Sequence, residues 1–318
     1  MKLLELIQAA AQTAQQIGPP GAAGRPPGPP RGFSYREAFF QLVQFAGYFL
    51  SIGAVGFRFG IVRRKRGISE DAKQTLRPDN AAVFGTIGVL LLFVSYLGGP
   101  YVASLSEHKT FVEMLPKNIA PFQLKMVLLL IALVGFALVR VLSDLGWTLA
   151  VIGILIAELQ PLYTGRLAGK VNAVHILAAS TWLGTLLILT IVGIRGVIKR
   201  AAAGLPRAEL VCDLVNSFSP LALTAATIVA LSGLTTAWLH LKRLSALWTT
   251  SYGIALIVKL IFVAGVVAMG AWNWKRVRPS LGEHDSEHII RRSATMELTF
   301  GALVLLATSV LVTLPSPR

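Results

Sequence analysis

Eight apolar runs, at 38–62, 81–105, 122–139, 145–162, 171–194, 213–239, 252–272 and 293–314, decide what this chain can fold into. At 1.5 Å per residue each is long enough, or nearly so, to cross the roughly 30 Å hydrocarbon layer of a bilayer. Water cannot be the solvent for such a sequence. Charged residues make up only 14% of it and its mean hydropathy is +0.65, whereas soluble domains carry about a quarter charged residues. The pattern predicts an all-α, polytopic membrane protein of about eight transmembrane helices. The third and fourth runs are separated only by VRVLSDLGW, so one long kinked helix, giving seven spans, is the alternative.

Ahead of the first run stands a different kind of sequence. Residues 1–33 combine a short helix-prone stretch with GPPGAAGRPPGPPRG, a Pro/Gly-rich linker expected to stay extended or disordered. Glu5 and the following Gln residues argue against a signal peptide, so the tail is expected to be uncleaved. Three units follow: the tail at 1–33, four helices at 34–165, and four more at 166–318.

Thirty Lys and Arg against fifteen Asp and Glu leave a net charge of +15. The basic residues cluster between apolar runs, where they meet lipid headgroups, so nucleic acid is not an expected partner. About sixteen of them fall in the odd-to-even connections and about eleven on the opposite side. The positive-inside rule then places both termini outside a cytoplasmic, or inner, membrane. The lone Cys212 excludes an internal disulfide. Walker A, GxSxG and dinucleotide-turn motifs are absent, so no enzyme activity is expected.

Ionisable groups inside the hydrocarbon cost a few kcal/mol each, which makes the few present informative. His175 opens the fifth span and His240 closes the sixth, and packing of those spans would bring both to the outer rim. A neutral imidazole is a common ligand for copper and zinc. Outer-loop His108 or Met114 would complete a ligand set. The plainer reading has His175 bonding a neighbouring helix and His240 resting among headgroups. Glu158 and Lys259 fall at matching depth on the fourth and seventh spans, as partners across the midplane or as groups lining a path. Asn273 and Glu297 read as a helix clamp near the inner face. Trp182 is mid-span and reads as packing on the His175 face, Trp238 and Tyr252 sit near the outer face, and Trp147, Trp248, Trp272 and Trp274 read as interface anchors. His284 and His288 in GEHDSEHIIRR share a helical face, a weak metal signal beside a solvated acidic patch.

Several segments in the second half run in a telling order: VHILAASTWLGTLLIL from Val174, SFSPLAL from Ser217, SGLTTAWLHL from Ser232, TSYGIALIVKL from Thr250, NWKRVRP from Asn273 and RRSATMELTFGALVLLATSVLVTLPSP from Arg291. Over about 171–317 the chain resembles the bacterial copper-resistance D (CopD) family. The resemblance implies an inner-membrane protein that takes up copper, Cu(I) or Cu(II), as cargo, or contributes to copper resistance and homeostasis. By position, His175 and Trp182 fall on the family's His/Trp segment. Ser219, Trp238, Tyr252, Gly253, Lys259, Asn273, Arg292 and Glu297 fall on recurring positions of the later spans. The first four spans show no such signature and no His-rich or Met-rich outer segment is present, so delivery would need a separate periplasmic copper carrier. Two other classes stay open: an electron-transfer protein holding haem b between His175 and His240, and a scaffold or assembly factor for a copper enzyme.

Overall fold

The computed structural model describes residues 33–62, 78–119, 122–200, 207–241, 243–273, 275 and 286–315. The tail at 1–32, Trp274, His284 and the side chains of His288 and Arg292 lie outside the described residues.

Among the described residues every regular element is helical. Helix α1 is Tyr35–Gly56, continued by a π-helical turn at Phe57–Val62. Helix α2 is Ala81–Glu107, α3 Phe111–Ile119, α4 Gln123–Leu138 and α5 Ser143–Thr164. Helix α6 starts at Leu167–Ala179 and runs on through π turns at Ser180–Gly184 and Leu189–Ile194 into Arg195–Arg200. Helix α7 is Arg207–Leu241, α8 the short Ala246–Thr249, α9 Ser251–Trp272 and α10 Ser286–Thr313. Among the described residues seven helices are long and apolar enough to span a membrane, and α4, at 16 residues, is a shorter apolar helix. The protein is a multi-pass helical membrane protein.

Local chemistry explains where these helices begin. Ser34 accepts a hydrogen bond from the Glu37 backbone N–H, in a Ser-x-x-Glu pattern that caps α1. Thr250 does the same for Gly253 at the start of α9. The alternative of one long kinked helix over the third and fourth runs is overturned by the turn between α4 and α5. Leu142 N–H bonds Leu138 carbonyl at 2.8 Å and Gly146 N–H bonds Leu142 carbonyl at 2.7 Å, and α4 and α5 then pack against each other as separate helices. Trp147 departs from its predicted role as an interface anchor. It is 1% exposed, donates from Nε1 to Asp79 at 3.3 Å, and packs edge-on against Phe59 and Phe136. Trp248 and Trp272 are exposed, as an anchor requires.

Helix α1 is the hub. It packs against α2, α5, α6 and α10, and its closest approach is to α6 at Gly53, where a Cβ would collide with the Gly184 backbone. Small residues at such crossings let membrane helices gain van der Waals contact where lipid offers no hydrophobic driving force. Helices α9 and α10 pair along their length, and α7 lies on α6. At one end of the bundle Phe33 packs with Leu241, Tyr252, Leu311 and Leu314. Both described chain ends therefore lie on the same side, called the terminal side below, and the chain makes an even number of passes.

Candidate functional site

His175 lies on α6, eight residues or about 12 Å from the start of that helix at Leu167. Its Nδ1 is 3.0 Å from Ser232 Oγ on α7, and the ring also reaches the Val229 carbonyl. The hydroxyl proton of Ser232 is directed at the Ile228 carbonyl, 2.5 Å away. With that proton on Ile228, Ser232 accepts from an Nδ1–H of His175, the tautomer in which Nε2 of the neutral ring holds the lone pair. The next residue completes the seat. A Cβ on Gly233 would lie 3.1 Å from His175 Cε1, closer than ordinary contact, so the glycine lets the ring lie against the α7 backbone.

His240 sits just over two turns further along α7 from Ser232. Its Nδ1 is 2.8 Å from the Thr236 carbonyl, an acceptor only, so this Nδ1 also carries the hydrogen and Nε2 is again the lone-pair nitrogen. The ring stacks on Tyr252 of α9, with centroids 6.0 Å apart and planes 15° apart. Helices α6 and α7 do pack together, but the two imidazoles do not form one pair. His175 is held at the level of Ser232 and His240 at the level of Thr236, each committed to a different partner.

Lys259 on α9 also lies eight residues from its helix start, within electrostatic reach of His175. It therefore belongs to the histidine level, and its expected pairing with Glu158 is not formed. Glu158, 3% exposed on α5, instead shares a hydrogen bond with Tyr48 and the charge of Lys125. Lys125 Nζ is 3.4 Å from Tyr48 Oη, and the Tyr48 and Tyr96 hydroxyls are 2.9 Å apart. Matching depth predicted the wrong partner because depth says nothing about which helices are neighbours.

Asn273 Nδ2 donates to Glu297 Oε2 at 3.0 Å, joining α9 to α10. Trp182 packs on the main apolar core, and Tyr252 is buried under the His240 stack. Trp238 is 72% exposed. Its six-residue offset from Ser232 turns it about 240° around α7, away from the His175 seat. His108 caps α2 in the left-handed conformation, with φ 53°, and is exposed. Met114 is 3% exposed on α3, which packs along α2. Both thus sit on the first half of the bundle, while His175 and His240 belong to the second. Among the described residues no three His, Cys, Asp or Glu side chains cluster closely enough to hold a metal ion.

Several residues escaped the sequence reading. Ser232 and Gly233 stand in the SGLTTAWLHL segment, and a Ser-Gly pair eight residues before a histidine was the available signal. Lys125 stands near the edge of an apolar run, where a lysine is ordinarily interfacial. Tyr48 and Tyr96 carry no signal of their own.

Residues 213–311 match the family model described as copper resistance protein D. The copper transport protein CutJ of Bacillus subtilis (strain 168) is 29% identical over 143 residues, which cover 45% of this chain and 24% of that relative. The match thus spans about a quarter of the relative's length. No solved structure matches the chain. Helices α7, α9 and α10 carry the similarity to that family and also supply Ser232, His240, Lys259 and Glu297.

Proposed function

We propose that the protein moves copper across the cytoplasmic membrane, with His240 and then His175 as successive single-imidazole ligands entered from the terminal side. The observation that carries this reading is the shared tether. Both rings are held through Nδ1 by groups of α7, and the Nδ1–H tautomer keeps Nε2 as the lone-pair nitrogen of a neutral ring. Orienting a ligand imidazole through its other nitrogen is the usual outer-shell device at metal sites. Cu(I) accepts two or three soft or borderline ligands, and low coordination at each level suits a cargo that must leave as well as bind.

Each part of the second half has a task in this reading. Ser232 and Gly233 hold the deeper ring, Tyr252 holds the shallower one, and Lys259 sets the charge met by the ion at the His175 level. The family match and the name of the bacterial relative support copper as the cargo. The haem alternative draws no support from this arrangement, since the two imidazoles have separate partners at separate levels.

Cu(I) binding to the detergent-purified full chain, measured by competition with a colorimetric chelator, tests the proposal. Stoichiometric binding weakened at least tenfold in His175→Ala is the expected result. No binding by the wild type would overturn the proposal in favour of an assembly role.

A further inference from the structure

The copper reading leaves the first half of the bundle without a chemical task, yet the most closely connected buried ionisable groups lie there. Glu158 on α5, Lys125 on α4 and Tyr48 on α1 are 3%, 8% and 3% exposed, and Tyr96 joins them from α2. Four helices each supply one member. A purely structural clamp does not require this, because a buried ion pair is commonly replaceable by apolar residues at no loss of stability.

The order of the groups gives the cluster a property a clamp does not need. With Glu158 ionised, Tyr96 donates to Tyr48, Tyr48 donates to the carboxylate, and Lys125 donates to the Tyr48 oxygen. With Glu158 protonated, its O–H donates to Tyr48 and Tyr48 donates to Tyr96, while Lys125 still donates to Tyr48. Each arrangement uses one donor and two acceptor positions on Tyr48, so each leaves that hydroxyl fully paired. The Lys125 ammonium has a second partner for the state in which the carboxylate is neutral: it lies 5.6 Å from the centroid of the Tyr96 ring. Access is short. Tyr96 packs against Phe122, with centroids 5.3 Å apart, and Phe122 is 41% exposed at the start of α4.

We propose that Glu158, with Lys125, Tyr48 and Tyr96, is a proton-exchange site that takes up one proton from water and reverses the direction of its hydroxyl chain. One O–H bond forms at the Glu158 carboxylate, a hydronium ion returns to water, no electron moves, and the cluster gains one positive charge. Among the described residues the groups acting on Glu158 are Lys125 from α4 and Tyr48 from α1, with Tyr96 from α2 acting through Tyr48. Helix α6 also packs on α5 and adds no charged group to Glu158.

Infrared difference spectroscopy of the copper-free full chain in lipid bilayers, recorded across a pH step, tests this directly. The expected result is a distinct component band of the protonated-carboxyl C=O absorption that appears on acidification in the wild type and in Glu297→Gln, is missing in Glu158→Gln, and shifts in Tyr48→Phe. If Glu158→Gln does not fold, the double variant Lys125→Met/Glu158→Gln, which removes both charges, is measured in its place and must also lack the band. That band persisting in either Glu158 variant, or a wild type with no such band while folded, overturns the proposal. Because no copper is present, the outcome is independent of whether His175 binds it.

Discussion

The two halves of the bundle treat their buried polar groups in opposite ways. In α1, α2, α4 and α5 the ionisable side chains are turned toward one another, and Tyr48 alone connects Glu158, Lys125 and Tyr96. In α6 and α7 each imidazole is tied through Nδ1 to a hydroxyl or carbonyl of α7. The covering differs as well. About 67% of the α1 span is buried within the protein, against 22% for α7 and 17% for α9, while α5, which carries Glu158, and α6, which carries His175, fall between at 39% and 56%. A closed network partners its own charges, whereas a ring tethered through one nitrogen does not use both. The two halves should therefore fail differently when mutated.

The largest effect is expected in the first half. Lys125→Ala strands the Glu158 carboxylate in hydrocarbon and should cost about 3–5 kcal/mol of stability, read as a lowered thermal midpoint in detergent. The uncharged double variant Lys125→Met/Glu158→Gln should recover most of that loss. If the single variant melts like the wild type, the network is not holding the four helices together.

Ser232→Ala should do the converse, leaving the thermal midpoint nearly unchanged while weakening Cu(I) binding by roughly 10–100-fold, the usual range for an outer-shell partner of a ligand histidine. Unaltered affinity would show that the Nδ1 tether does not orient the ring. The α9–α10 clamp gives an intermediate case. Asn273→Ala leaves Glu297 buried, at 5% exposure, without its amide partner, and about 1–3 kcal/mol should be lost. Thermal unfolding measures this, with copper affinity expected to follow only through the loss of folded protein. The smallest change is expected for Trp238→Ala, whose exposed ring faces away from the histidine seat; a tenfold loss of copper binding there would place the path on the opposite face of α7.

Much of this was legible in the sequence, for reasons specific to membranes. Where the solvent is hydrocarbon, a run of apolar residues is itself a structural statement, and six of the eight runs needed little more than adjusted ends. Helices α7 and α10 begin earlier than predicted, at Arg207 and Ser286, because polar residues can extend a helix past the apolar layer. His175 and His240 stood out for the same reason, and so did the Asn273 and Glu297 clamp. Trp147 misled because tryptophan near a span end usually marks the interface, and only its packing against Phe59 and Phe136 shows it to be core.

The sequence by itself determined the helical class, the depth of each polar residue and, through its motifs, the resemblance carried by the second half. Depth is additive along one helix, so counting residues at 1.5 Å each is enough. Which helices are neighbours is not additive. It depends on where small residues let two backbones approach, as at Gly53 and Gly184. Only the tertiary structure could therefore separate Glu158 from Lys259, join it to Lys125 and Tyr48, and set His175 against Ser232 and Gly233 with one nitrogen left over.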